Sequence, residues 1–281
     1  MEELEKAEKS EASWEGEFSR YQWMVEQKEG ATVFYANFQD KDPNTECVEI
    51  SVRKNCFLPE QTGINYITVS GFTITQAATN WAPPTAYQDG MIGPHWAKGW
   101  IIENCDISNS KCSGISLGKY FQPENDNKWS VKYLKDGTQT ERECIFQAFN
   151  EGWTKENIGS HIVRKCHIHH CTRGIWLDWQ VQGTRVTQNL FHDNVAPKGL
   201  KITSDLSIAE DLFIEVSHGL SLVDNNILLS PCACRISAQG LAFVNNLITG
   251  SFTWVGEGTE NAEKTARHLV IRRIMYLIKQ I

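Results

Sequence analysis

The chain has 281 residues, of which 41% are hydrophobic and 22% are charged, and these values are typical of a soluble protein with a sizeable core. The formal net charge of −7 excludes a general basic surface for nucleic acid, and no apolar run reaches the roughly 18 residues that a membrane span needs. The charged start, MEELEKAEKS, lacks the apolar region of a secretory signal, so we expect a cytoplasmic protein.

The N-terminal segment, residues 1–30, is rich in charged residues, and we expect a helical or poorly ordered cap there. After it, six short segments repeat one pattern, in which aliphatic and β-branched residues lead into an Asn- or Gly-containing turn and then into another apolar residue. The six segments are NYITVSGFTI (65–74), GWIIENCDI (99–107), SHIVRKCHI (160–168), GTRVTQNLF (183–191), LSLVDNNIL (220–228) and LAFVNNLIT (241–249).

The spacing of the repeats favours a solenoid. Asn226 and Asn246 occupy equivalent turns, and the length of chain between them suits a coil of several short strands. Second strands lie between the segments, namely GISLGK (114–119), GIWLDW (174–179) and DLFIEV (211–216). Segments with helical periodicity are nearly absent from residues 60 to 255. We therefore predict an all-β parallel β-helix over residues 31–254, in preference to a β-sandwich or a mixed sheet.

Irregular segments interrupt and end the predicted solenoid. Residues 120–158 and 195–209 are expected to be inserted loops. The last part, residues 255–281, ends in HLVIRRIMYLIKQI, for which we predict an amphipathic helix or a disordered tail that closes the solenoid. Exposed solenoid ends self-associate readily, so we expect a homo-oligomer that covers them.

The nine cysteines are scattered and form no CxxC pair, so we interpret most of them as small buried hydrophobic residues. Two groups invite a metal hypothesis. These are the cluster of His167, His169, His170 and Cys171, and the pair of Cys232 and Cys234. A metal site needs three converging ligands with outer-shell support, and the sequence alone indicates no such convergence. We therefore predict no metal site and no cofactor.

Two carboxylates share one position in neighbouring coils. Asp178 precedes Asn189 by the same length of chain by which Glu215 precedes Asn226. Equal offsets in a solenoid place two residues side by side on adjacent strands, about 4.8 Å apart. Strand alternation directs both side chains away from the core, and the preceding coil offers only the small residues of GISLG at this level.

Such a pair indicates an active site. Stacked carboxylates repel unless one holds a proton or a substrate lies between them, and retaining glycosidases place their two carboxyl groups about 5–5.5 Å apart. The alternative is a pair of solvated surface acids. Outward aromatic residues beside the pair favour the catalytic interpretation, because they stack on sugars and desolvate acids. The predicted sugar-contacting residues are Trp81, His95, Trp96, Trp176, Gln180 and His218.

Long strings of the chain resemble glycoside hydrolase family 120, which comprises β-xylosidases built on a right-handed, pectate-lyase-like parallel β-helix with an inserted β-sandwich. The strings are DPNTECVEISVR (42–53), GINYITVSGFTITQAATNWAPPTAYQDGMIGPHWAKGWIIENCDISNSKCSGISLGK (63–119), GIWLDWQVQGTRVTQNLF (174–191) and DLFIEVSHGLSLVDNNILLS (211–230). The resemblance implies a retaining mechanism on xylo-oligosaccharides, with Asp178 as nucleophile and Glu215 as acid/base.

The chain also departs from the family pattern. Family members are much longer, and we expect this chain to begin after the N-terminal coils and the sandwich insertion. The extra loop at residues 195–209 and the unrelated C-terminal tail add to the difference. The first hypothesis is a β-xylosidase-type hydrolase weakened by truncation, with a plant-derived glycan as partner and no nucleic acid or membrane partner. The second is a non-catalytic carbohydrate-binding or structural β-helix fragment.

Overall fold

The computed structural model describes residues 22–77, 89–94, 96–118, 150, 154, 156–178, 183–196, 209–215, 217, 220–238, 240–254, 270–272 and 275–276. Nearly all regular structure in this part of the chain is β-strand. The strands are β1 (Trp23–Lys28), β2 (Ala31–Ala36), β3 (Thr68–Ser70), β4 (Thr73–Thr75), β5 (Gly90–Ile92), β6 (Ile101–Glu103), β7 (Asp106–Ser108), β8 (Ser113–Leu117), β9 (Ile162–Arg164), β10 (His167–His169), β11 (Arg173–Asp178), β12 (Arg185–Thr187), β13 (Leu190–His192), β14 (Glu210–Glu215), β15 (Ser221–Asp224), β16 (Ile227–Leu228), β17 (Cys232–Ser237), β18 (Leu241–Val244), β19 (Leu247–Ile248), β20 (Ser251–Trp254), β21 (Val270–Arg272) and β22 (Met275–Tyr276).

Three parallel sheets contain all strands after β2. The first sheet has the order β21-β18-β15-β12-β9-β6-β3, the second β22-β19-β16-β13-β10-β7-β4, and the third β20-β17-β14-β11-β8-β5. Consecutive strands visit the first, second and third sheets in turn, so three strands make one coil and each coil pairs with its neighbours. This arrangement confirms the all-β prediction and is consistent with a parallel β-helix. Among the described residues, no helix is both long and apolar enough to cross a membrane.

Stacks of apolar side chains fill the interior. Six of the seven first-sheet strands, β3 to β18, each contribute one residue to a stack of Val69, Ile102, Val163, Val186, Val223 and Phe243, all at most 4% exposed. The second sheet supplies a similar stack of Ile74, Ile107, Ile168, Phe191, Leu228 and Ile248. Burial of each such side chain contributes about 1.5–3 kcal/mol, so the period-2 pattern of the sequence becomes the core of the solenoid.

The corner between the first and second sheets has a fixed length. The strand partners on the two sides of this corner are separated by five residues in every coil, for example Ile101 and Asp106. A residue with positive φ turns the chain at Asn104, Lys165, Gln188, Asn225 and Asn245. Asparagine tolerates this left-handed region well and occupies three of these five positions.

Buried amides connect these corners from coil to coil. The side chain of Asn226 donates to the backbone oxygen of Val186 and to Asn246 Oδ1, both at 2.9 Å, while its own Oδ1 accepts from Asn189. Since each amide satisfies the backbone of a neighbouring coil, the ladder fixes the register of successive coils.

The chain divides into two compact units, Met1–Ile50 with Pro197–Leu206, and Ser51–Ala196 with Ser207–Ile281. In the first unit, β1 and β2 form an antiparallel hairpin through Gly30, whose φ is 73°. The helix expected within residues 1–30 is therefore wrong for residues 23–28, where WMVEQK pairs with ATVFYA.

The C-terminal prediction also needs correction. Residues 270–272 and 275–276 form β21 and β22, which pair in parallel with β18 and β19, instead of an amphipathic helix. The preceding coil offers open strand edges, and those backbone groups outweigh the helical periodicity of the tail. The loops expected at 120–158 and 195–209 lie largely outside the described residues.

The interpretation of the cysteines is confirmed for the described part of the chain. All eight described cysteines are free thiols, and six of them are buried: Cys105, Cys112, Cys166, Cys171, Cys232 and Cys234. Burial raises the pKa of Cys166 and Cys171 to about 12, so both remain protonated at neutral pH.

Candidate active site

The two predicted carboxylates are direct strand partners. Strand β11 pairs in parallel with β14, and the register brings Asp178 opposite Glu215 at the C-terminal end of both strands. Adjacent strands lie about 4.8 Å apart, so this level of the sheet presents two carboxyl groups at one inter-strand spacing. The register predicted from the equal offsets to Asn189 and Asn226 is therefore confirmed.

Both side chains belong to the outer face of the third sheet. Their neighbours Leu177 and Ile214 are part of the hydrophobic core, and side chains alternate along a strand. Asp178 has no solvent exposure, whereas Glu215 is partly exposed. The two acids thus occupy different environments, and only Glu215 has direct access to water.

An aromatic pair lies next to the carboxylates on the same face. Trp176 and Phe213 are strand partners whose rings stack with a centroid distance of 5.8 Å and an interplanar angle of 21°. Both are buried, so they do not form the exposed rim expected from the sequence. The guanidinium of Arg173 covers them, 4.7 Å from the Trp176 ring and 4.3 Å from the Phe213 ring.

A buried ionic triad completes this face. Glu210 on β14 forms ion pairs with Arg173 on β11 at 3.0 Å and with Arg235 on β17 at 3.1 Å. Burial raises the pKa of the Glu210 carboxyl, and the two guanidinium groups oppose that shift. From the start to the end of β11 and β14, the outer face therefore carries an ionic triad, then an aromatic pair, then the carboxylate pair.

The backbone at the start of these strands permits this arrangement. Gly174 separates the outward Arg173 from the inward Ile175, and a Cβ at Gly174 would lie 2.5 Å from the backbone oxygen of Asp211.

Asp211 follows Glu210 but is buried with different partners: it accepts hydrogen bonds from Asn194 Nδ2 at 2.8 Å and from the Ser230 amide at 3.2 Å. Burial raises the pKa of Asp211 to about 7.

The structure describes two of the six predicted sugar-contacting residues. Trp176 adjoins the carboxylates. Trp96 follows β5, which is separated from β11 by β8 in the third sheet, and is buried. The four residues that lie outside the described part of the chain are Trp81, His95, Gln180 and His218.

The ionic triad was not predicted, although the sequence carries a signal for part of it. Arg173 precedes Asp178 by five residues, and Glu210 precedes Glu215 by the same number. The offset argument that paired the two acids would also have paired this arginine with this glutamate. The same argument would have misplaced Arg235: it precedes Asn246 by as many residues as Glu215 precedes Asn226, yet its strand partner is Phe213.

Two comparisons with known proteins relate the chain to one family of glycoside hydrolases. Residues 1–50 match the family model described as the insertion domain of glycoside hydrolase 120, so the expectation that the chain begins after this insertion is wrong. A solved complex of XylC with xylose is 40% identical, covers 86% of this chain and superposes with a TM-score of 0.54. The chain spans 44% of XylC. No curated protein matches. By its first 50 residues and by its similarity to XylC, the chain resembles glycoside hydrolase family 120.

Proposed function

We propose that the chain is a glycoside hydrolase that cleaves xylo-oligosaccharides with retention of configuration. Asp178 is the nucleophile and Glu215 is the acid/base. The observation that carries this proposal is the register of β11 and β14, which makes the two acids direct strand partners. One inter-strand spacing, about 4.8 Å, is close to the 5–5.5 Å between carboxyl groups in retaining glycosidases and well below the separation in inverting ones.

The different exposures of the two acids suit these roles. In the first step, a carboxylate oxygen of Asp178 bonds to the anomeric carbon while Glu215 donates its proton to the departing glycosidic oxygen. In the second step, Glu215 takes a proton from water, and the resulting hydroxide displaces Asp178 from the sugar. Glu215 needs contact with water in the second step, and it is the acid that the structure leaves partly exposed.

The buried residues beneath the pair hold it in place. The stacked Trp176 and Phe213 exclude water from one side of the carboxylates, and the Arg173–Glu210 ion pair fixes the aromatic pair from below. A rigid, water-poor support limits the reorganisation required when charge develops at the anomeric carbon. The xylose bound in the XylC complex supports a pentose as the recognised sugar.

The proposal includes the hand of the coil. Each return from one third-sheet strand to the next is a crossover between parallel neighbours in one sheet. Such crossovers are right-handed in nearly all known cases because of strand twist. We therefore assign a right-handed coil.

A second candidate function is a non-catalytic carbohydrate-binding solenoid. The observation in its favour is the full burial of Asp178, since a nucleophile must reach the anomeric carbon. In this alternative, the carboxylate pair persists on the sheet while no sugar ring enters between the two acids.

The two functions are separated by turnover of p-nitrophenyl β-xyloside and by the anomer that is released first. We expect hydrolysis with initial release of β-xylose, detected by proton NMR. Asp178→Asn should lower kcat at least roughly 10³-fold, whereas the matched exposed variant Asp40→Asn should leave it unchanged.

The acid/base has its own signature. Nitrophenolate leaves without protonation, so Glu215→Gln should slow mainly the second step, and added azide should restore turnover by replacing water as the nucleophile. Retention of turnover by Asp178→Asn would contradict the proposal. A folded protein that binds xylo-oligosaccharides but hydrolyses none of several β-glycosides would support the second candidate.

A further inference from the structure

A cluster of four histidines and two aspartates lies on the outer face of the second sheet, away from the carboxylate pair. Its centre is a trio in which Asp106 on β7 contacts His167 and His169 on β10. Asp106 Oδ2 lies 2.9 Å from His167 Nδ1, and Asp106 Oδ1 lies 3.3 Å from His169 Nε2. The trio is partly exposed, so ions in solution can reach it.

Each histidine of the trio uses its second ring nitrogen to contact a further histidine. His167 Nε2 lies 2.6 Å from His192 Nε2 on β13, and His192 Nδ1 lies 2.7 Å from Asp193 Oδ2. On the other side, His169 Nδ1 lies 2.6 Å from His170 Nδ1. Metal-bound histidines in proteins are oriented in this way, with the nitrogen that does not bind the metal donating its proton to an outer-shell acceptor.

The contacts along this network need one more N–H group than two neutral rings supply. Between Asp106 and Asp193, the four ring nitrogens of His167 and His192 face a carboxylate, each other and a second carboxylate. Three N–H groups are needed to satisfy these three contacts, yet two neutral imidazoles supply only two. A cation bound between Asp106 and His167 takes the place of one of these N–H groups, and the two neutral rings then satisfy the other two contacts.

We propose that Asp106, His167 and His169 form a binding site for one divalent transition-metal ion of the zinc type. The ion binds His167 Nδ1, His169 Nε2 and one oxygen of Asp106. His167 then donates from Nε2 to His192, which donates from Nδ1 to Asp193, and His169 donates from Nδ1 to His170. Every ring in the network is neutral in this state, and each contact has one donor and one acceptor.

The spacing of the ligand atoms fits such an ion. Bonds of about 2.0–2.1 Å in tetrahedral geometry separate two ligand atoms by about 3.3 Å. One ligand atom from each of the three residues lies within 4.8 Å of the other two, and the two Asp106 oxygens lie 2.9 Å from His167 Nδ1 and 3.3 Å from His169 Nε2. Imidazole and carboxylate together suit zinc and its neighbours better than calcium or magnesium, which prefer oxygen alone. Three protein ligands leave the fourth position for water.

The ion would join neighbouring coils. Asp106 lies on β7, the two histidine ligands lie on β10, and the outer-shell His192 lies on β13, all consecutive strands of the second sheet. An ion that binds only the folded state raises stability by RT ln(1 + L/Kd), where L is the free ion concentration, so the metal should raise the Tm.

The test is calorimetric titration of Zn²⁺ into full-length protein that carries no histidine tag and has been dialysed against a chelator. We expect one equivalent to bind. The double variant His167→Asn/His169→Asn should bind at least roughly 100-fold more weakly, while Asp40→Asn should bind like the unmodified protein.

Two further measurements address the geometry. Asp193→Asn should weaken binding by about 10–100-fold without removing a ligand, because it disturbs only the outer shell. Co²⁺ should give the visible absorption of a tetrahedral site with imidazole and carboxylate ligands. Absence of one-equivalent binding, or equal affinity in the double variant with its circular dichroism unchanged, would overturn the proposal.

Discussion

Charged side chains are buried on the outer face of the third sheet and exposed on the outer face of the second sheet, although the same coils form both sheets. On the third sheet, the Arg173 and Glu210 side chains are 2% and 0% exposed and form an ion pair at 3.0 Å. On the second sheet, the His167 and Asp106 side chains are 39% and 42% exposed and contact solvent. Burial therefore commits the first group to fixed partners, while exposure keeps the second group open to exchange.

This difference in burial suits the function proposed for each face. A pair of carboxylates that must hold its geometry through two chemical steps rests on a dry ionic and aromatic support. A site that takes up an ion from solution needs groups that can release protons to water. Three stability measurements compare how much buried and exposed charged groups contribute to the free energy of unfolding.

The largest expected effect comes from removing the central carboxylate of the triad. Glu210→Gln leaves the guanidinium groups of Arg173 and Arg235 buried without their counter-ion. We expect a loss of about 3–5 kcal/mol in the free energy of unfolding, measured by urea denaturation. A loss below about 1 kcal/mol would mean that water reaches the triad, and the contrast between the faces would fail.

The next effect concerns Asp211, which follows Glu210 but has only neutral donors as partners. Its pKa rises from 3.8 to about 7 on folding, so the folded state binds more protons than the unfolded state between these values. Stability should therefore fall as the pH rises from about 4 to 7, by up to about 4 kcal/mol from this group.

Asp211→Asn, which mimics the protonated acid, should remove this part of the pH dependence. Thermal unfolding of both proteins at pH 4, 5, 6 and 7 is the measurement. The two profiles should diverge as the pH increases, and parallel profiles would show that Asp211 titrates normally.

The smallest effect belongs to an exposed ion pair. Arg164 Nη2 lies 2.7 Å from Glu103 Oε2 on the first sheet, and both side chains contact solvent. Solvent screening reduces the value of such pairs, so Glu103→Gln should cost less than about 1 kcal/mol, and added salt should reduce the difference further. A larger loss of stability would mean that this exposed pair contributes as a buried ion pair does, which would contradict the contrast.

Periodicity and equal offsets revealed much of the fold and the carboxylate pair. A solenoid converts sequence offset into spatial level, so the position of Asp178 and Glu215 relative to their turns was sufficient to pair them. The burial of Trp176 was not accessible in this way. Alternation gives the direction of a side chain, but whether other groups cover it depends on contacts remote in sequence, here the guanidinium of Arg173.

The histidine cluster exposes a second limit. HIHH was visible as a local motif, but Asp106 lies far upstream of its strand partner His167 because a long segment separates β8 from β9. The offset argument needs coils of regular length. At the C-terminus, helical periodicity in residues 268–281 conflicted with strand pairing, and the unpaired backbone of the preceding coil decided between them.

The fixed corner between the first and second sheets has a consequence for how such a chain can change. That corner always separates strand partners by five residues, whereas the length of chain in a whole coil varies widely. The longest interval between first-sheet partners runs from Ile102 to Val163, and the shortest from Val223 to Phe243. The differences in length therefore lie in the other connections of each coil. One of these is the connection from Asp178 at the end of β11 to β12.

Insertions in those connections can reshape the surroundings of the carboxylate pair while the asparagine ladder keeps every coil in step. The solenoid thus keeps its corners at one length and its strands in register, while the connections between strands differ in length.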